Sequence, residues 1–162
     1  MRAFRVETPA PADLSVGLAS VRAGEPLMLD LRLESVVEGV LVSGTATAPI
    51  TAECARCLTP VSDTVSVPVT ELFAYPGSAT EQTSDEDEVS HLVGDMLDLE
   101  PLVRDALVLD LPLSPLCRDD CRGLCAGCGE RLDDLPADHT HTTTDPRWAA
   151  LAERFGGSPE KE

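Results

Sequence analysis

The 162-residue chain has few aromatic residues, little positive charge and no long apolar run. Aromatics make up 3% of it, and Trp148 and Tyr75 are the sole Trp and Tyr, so its core is expected to consist of Val, Leu and Ala. Twelve Lys and Arg against 29 Asp and Glu leave a formal charge of −17. That balance excludes a broad, sequence-independent footprint on a nucleic-acid backbone, because like charges repel over a screening length of about 10 Å. It favours a basic partner instead. No stretch approaches the roughly 18 apolar residues of a membrane span, and Met1 to Pro9 contain no apolar leader region. We therefore expect a cytoplasmic protein without membrane contact. A Gly-rich phosphate loop, Gly-x-Ser-x-Gly and His-Glu-x-x-His are all missing. Neither an enzyme nor a small-molecule substrate is expected.

Apolar residues make up 43% of the chain, enough for one real core at this length. Leu27, Leu29, Leu31 and Leu33 alternate with mostly polar neighbours, as in a half-buried strand. Glu38-Gly39 turns the chain into a second long strand through Val40 and Val42 to about Cys54, and a third runs from about Leu58 to Phe73. Three strands with short connections imply an antiparallel meander. Residues 76–90 carry Gly77, several serines and Asp85-Glu86-Asp87-Glu88, which reads as a mobile acidic loop. Asp98 as a cap and Pro101 in the first turn open a helix over about 98–111, and Pro112 and Pro115 stop it. A second helix is expected from Asp145-Pro146 to Phe155, ended by Gly156-Gly157. The fold class is α+β: an antiparallel meander packed by one main helix, with a small C-terminal Cys-rich module and a terminal helix. Residues 1–112 form the β-rich core and 113–162 the zinc module, linker and helix, together one folding unit.

Six cysteines in a reducing compartment point to metal or thiol chemistry rather than to disulfides. Cys117, Cys121, Cys125 and Cys128 place four thiols within twelve positions, and four such ligands surround Zn²⁺ tetrahedrally. A full thiolate set leaves no open coordination position, so the zinc is structural rather than catalytic. Cys125-Ala126-Gly127-Cys128-Gly129 has the form of a zinc knuckle and is the firmest pair. His139 and His141 follow after a short loop and stand as alternative ligands for one or two of the first cysteines. Cys54 and Cys57 lie where the second strand turns into the third, and they too stand as alternatives, joining Cys117 and Cys121 if the cluster folds back on the hairpin. A redox role for this Cys-x-x-Cys is weaker, because redox pairs open a helix and here Pro60 leads into a strand. Arg56, at the same turn, is a candidate partner contact.

Five segments taken in order resemble the YceD family of large ribosomal RNA subunit accumulation proteins. They are Glu53-Cys54-Ala55-Arg56-Cys57-Leu58, Asp98-Leu99-Glu100-Pro101-Leu102-Val103-Arg104-Asp105, Leu111-Pro112-Leu113-Ser114-Pro115-Leu116-Cys117, Cys121-Arg122-Gly123-Leu124-Cys125-Ala126-Gly127-Cys128-Gly129 and Asp145-Pro146-Arg147-Trp148. The resemblance implies a bacterial, non-enzymatic factor needed for normal accumulation of 23S ribosomal RNA. Some members carry Cys-x-Cys where this chain has His139-Thr140-His141, which keeps the histidines as ligands. Combined with the charge, this gives a ribosome-biogenesis accessory factor that binds a basic ribosomal protein or a large-subunit precursor. Direct binding of ribosomal RNA through the zinc module, and thiol redox chemistry at Cys54 and Cys57, are the alternatives.

Overall fold

The computed structural model describes residues 1–83, 89–141 and 146–148, together with Leu151 and Arg154. The three expected strands are present as β4 (Pro26–Ser35), β5 (Gly39–Glu53) and β6 (Pro60–Ala74), preceded by β1 (Arg2–Pro9), β2 (Leu14–Val16) and β3 (Ala19–Val21). The backbone of β5 is paired along both edges. One edge takes β6 in an unbroken antiparallel register from Gly39↔Ala74 to Glu53↔Pro60, while the other takes β4 from Val40 to Thr47 and then β3 at Thr51 and Ala52. β1 closes the outer edge of β4, and the two-residue β7 (Ser90–His91) runs parallel to the end of β6.

The register accounts for the core. Val42, Ala46, Ala48, Ile50 and Ala52 of β5 stand on one face with Leu27, Leu29 and Leu31 of β4 and Val65, Val67, Val69 and Phe73 of β6, all buried. The opposite face carries Ser43, Thr45, Thr47, Thr51, Ser62, Thr64, Ser66 and Thr70, the polar half of a two-residue period. The main helix, α2 (Glu100–Asp110), covers the apolar face against β6 and β2, with Val103 and Leu107 buried beneath it. Asp98 Oδ1 accepts from the Glu100 N–H at 3.0 Å, Pro101 stands in the first turn, and Leu111 is already extended ahead of Pro112. The proline signals act where they were read, whereas the helix begins at Glu100 with Leu99 as its N-cap, so Asp98 satisfies one free amide from one position further out.

The start of the segment read as a mobile acidic loop over 76–90 is helical in the described residues. A short helix α1 (Ala79–Thr83) forms there, opened by a variant of the capping box at Ser78-Ala79-Thr80-Glu81 in which Glu81 reaches Gly77 instead of Ser78. The Ser78 hydroxyl accepts from the Glu81 N–H, the Glu81 carboxylate reaches back to the Gly77 N–H, and Glu38 accepts from the Thr80 N–H at 3.1 Å. Asp85 to Glu88 lie outside the described residues. So does most of the expected helix over 145–155, apart from a 3-10 turn at Pro146–Trp148 and the helical residues Leu151 and Arg154. No helix among the described residues is long and apolar enough to cross a membrane.

Candidate metal centres

All six cysteines are free thiols, and the structure sorts them into two clusters. Cys54, Cys57, Cys117 and Cys121 form one, and Cys125 and Cys128 join His139 and His141 in the other; within each, the four ligand atoms lie within 4.8 Å of one another. The run 117–128 is thus divided, its first two cysteines facing the hairpin and its last two facing the histidines.

The hairpin cluster grows out of the β5–β6 connection. Cys54 N–H donates to Thr59 O at 2.9 Å, Leu58 N–H donates to Cys54 O at 2.9 Å, and Leu58 takes the left-handed conformation at φ 59°. That conformation costs a non-glycine residue about 1–2 kcal/mol, and the two backbone bonds hold it. The turn aims both sulfurs inward. Residues 115–121 are tied onto it: Ala55 N–H donates to Pro115 O at 2.8 Å, and the Arg56 guanidinium donates to Asp119 O at 3.1 Å and Cys121 O at 2.9 Å. Arg56 is therefore exposed, as expected, yet it also fastens the two chain segments together.

Cys54, Cys57 and Cys121 are buried, with Val61, Leu116 and Leu124 packed around them. Cys54 Sγ stands 3.8 Å from Cys121 Sγ, and Cys57 Sγ stands 3.6 Å from Cys117 Sγ. A tetrahedron of Zn–S bonds of about 2.3 Å has S···S edges of about 3.8 Å. The donor set and its spacing fit a closed tetrathiolate centre.

The thiols are unequal without a cation. The N–H of Cys117 is the main influence lowering Cys54 to about 6; burial opposes it, and the N–H groups of Arg56 and Cys57 add to it. Cys57 is lowered too, chiefly by the Thr59 hydroxyl and then by the Thr59 N–H. Cys121 is raised by burial. Cys117 is an exposed residue, but its Sγ is turned in against Cys57; desolvation there and the neighbouring thiol push it up to about 12. Four thiolates at this spacing repel one another, so full ionisation calls for a bound cation.

The second cluster is built on the turn Cys125 to Glu130, flanked by the bridge between Leu124 and Arg131. Cys125 N–H donates to Glu130 O at 2.7 Å, Gly129 N–H donates to Cys125 O at 2.8 Å, and Gly129 is left-handed at φ 75°. The N–H of Cys128, followed by that of Gly127 at 3.4 Å, lowers Cys125 to about 6 against the effect of burial. Cys128 Sγ lies 3.5 Å from His139 Nε2, and the His139 and His141 rings meet edge to face at 4.5 Å between centroids. Between the clusters Gly123, at φ 80°, turns the chain against the carbonyl of Arg56; a Cβ there would sit 3.1 Å from that oxygen. The arginines of this module are engaged: Arg118 with Asp120 and Asp133, Arg131 with Asp134, and Arg122 with Leu132 O.

Residues 42–153 match the family described as large ribosomal RNA subunit accumulation protein YceD. Uncharacterized proteins of Mycobacterium tuberculosis and Mycobacterium bovis are 52% identical over 153 residues, 94% of this chain and 72% of theirs. One of Mycobacterium leprae is 48% identical over 151 residues, covering 93% of this chain and 69% of its own. No solved structure matches. With most of its length matched, including both Cys-x-x-Cys turns and the main helix, the chain belongs to the YceD family of large ribosomal RNA subunit accumulation proteins.

Proposed function

We propose that the protein is a non-enzymatic ribosome-biogenesis accessory factor that supports accumulation of 23S ribosomal RNA in the cytoplasm by binding a basic ribosomal protein or a basic patch on a large-subunit precursor. The observation that carries this reading is the family match over residues 42–153. The formal charge of −17 supports a basic protein partner, since electrostatic attraction steers such encounters. The pairing of Arg118 and Arg131 with carboxylates counts against a phosphate footprint on the Cys-rich module. Arg56 keeps part of its guanidinium for the partner.

In this reading Cys54, Cys57, Cys117 and Cys121 hold one structural Zn²⁺. The ion fastens residues 113–141 to the hairpin and takes no part in a reaction, because four thiolates complete its coordination. Residues 1–112 and the module then behave as one folding unit. Thiol redox chemistry at Cys54 and Cys57 is the second reading, favoured by the acidified Cys54. Against it, Cys54 is fully buried, Cys57 is 4% exposed, and their turn opens a strand instead of a helix.

Depleting the protein from cells is expected to lower the ratio of large- to small-subunit ribosomal RNA, and affinity capture is expected to recover a basic large-subunit protein. An unchanged RNA ratio sinks the proposal. Capture of bare 23S fragments with a steep salt dependence would replace the protein partner by RNA.

A further inference from the structure

We propose that Cys125, Cys128, His139 and His141 hold a second zinc-class divalent ion, so that each chain carries two metal centres with unlike donor sets. This goes beyond the single structural zinc above and stands independently of the ribosomal reading.

The first ground is that the two turns are built alike. In each, the amide of the first cysteine donates to the carbonyl five residues on, and the amide four residues on donates back to the first cysteine's carbonyl. The residue making that return bond is left-handed in both, Leu58 in one and Gly129 in the other. Such a turn holds two sulfurs of a Cys-x-x-Cys toward one point. The chain thus carries two knuckles. A single four-cysteine site drawn from 117–128 would leave the knuckle at Cys54 without a metal.

The second ground is distance and donor chemistry. Bonds of about 2.3 Å to sulfur and about 2.0–2.1 Å to imidazole nitrogen make a tetrahedral S···N edge of about 3.5 Å. Cys128 Sγ to His139 Nε2 is 3.5 Å. Two thiolates and two imidazoles whose ligand atoms all lie within 4.8 Å of one another suit Zn²⁺. The backbone makes room for the fourth donor: a Cβ at Gly127 would lie 2.4 Å from His141 Cδ2, so a side chain there would collide with the imidazole.

The third ground is what else holds this segment. From Arg122 to His141 the only buried residue is Gly123, so apolar burial contributes little to its order. In structural sites of this kind the free energy of binding the metal is folding free energy. The second ion orders the stretch from 125 to 141 and sets its exposed face, whereas the first ties that stretch to the sheet. Cys128 and His141 are exposed, so the second ion also stands closer to solvent than the one among the buried cysteines.

Native mass spectrometry of the full chain, purified with zinc, is expected to show two zinc ions per chain. The His139→Ala/His141→Ala and Cys125→Ser/Cys128→Ser variants are each expected to keep one, with the far-ultraviolet signature of the sheet retained and faster tryptic cleavage after Arg122 and Arg131. In the cobalt-substituted protein, Cys125→Ser/Cys128→Ser is expected to remove the share of thiolate charge-transfer absorption owed to two sulfurs in six. One zinc per wild-type chain overturns the proposal. Two zinc ions retained in both variants, or unchanged charge-transfer absorption, overturns it equally.

Discussion

A Cys121→Ser chain is expected to release the metal of the hairpin cluster and let residues 113–141 come away from the hairpin, while the sheet stays folded. Cys121 is 3% exposed and its sulfur lies 3.8 Å from that of Cys54, so serine removes one of four donors from a closed site and buries a hydroxyl beside three sulfurs. Loss of an outer partner of a ligand already weakens metal binding about 10–100-fold, so loss of a ligand itself should weaken it at least about 100-fold. Competition with a chelator measures this. The apolar core of the sheet is a separate cluster that meets the cysteine cluster at Val61, which is why the strand signal should survive. Unchanged metal affinity would refute the tetrathiolate assignment. Arg56 offers a milder form of the same break: with its bonds to Asp119 O and Cys121 O removed, the loop is loosened but all four sulfurs remain.

Leu107→Ala is expected to cost a large fraction of the stability of the sheet and its covering helix. Leu107 is fully buried where α2 packs against β6 and β2. Truncation there removes apolar burial and leaves a cavity between helix and sheet, a cost of about 2–5 kcal/mol. Against a typical total of about 5–15 kcal/mol, that is a large fraction of the stability. The expected readout is a lower denaturant midpoint with the slope unchanged. Leu109 sits two positions along the same helix and is 86% exposed, so Leu109→Ala should change stability by less than about 0.5 kcal/mol. Equal losses at the two positions would mean that α2 is seated on another face.

The parts of this fold that could be read from sequence are those whose burial is one-sided. β4, β5 and β6 alternate because one face is covered, and α2 shows its first-turn proline and its proline stop at the ends of one apolar face. β1 escaped because it is an edge strand held to β4 by backbone bonds. Phe4 and Val6 remain 40% and 48% exposed, so its alternation marks no buried face. β2 and β3, at three residues each, are too short to show a period. The capping box at Ser78 and Glu81 was legible as a motif but masked by the acidic run beside it.

The cysteines were legible as candidate metal ligands, but the way the fold groups them was not. Spacing along the chain reports local neighbours, and the partners of Cys117 and Cys121 lie at the far end of a hairpin. A usable signal was the count of turns: two Cys-x-x-Cys units, each with a donor pair of its own downstream, at Cys117 and Cys121 for one and at His139 and His141 for the other.

That arrangement bears on the order of events as the chain is made. Cys54 meets Cys121 across 67 positions and Cys57 meets Cys117 across 60, whereas Cys117, Cys121, Cys125 and Cys128 are neighbours by sequence. Each doubling of a closed loop costs about 0.6 kcal/mol, so four residues against sixty is a handicap of about 2 kcal/mol for the native pairing in an unfolded chain. On the two-centre proposal, an ion that arrives before β5 and β6 have paired therefore meets the local quartet of Cys117, Cys121, Cys125 and Cys128 first. The hairpin is in this sense the sorting device: once it presents Cys54 and Cys57, the crowded thiols downstream divide between two destinations.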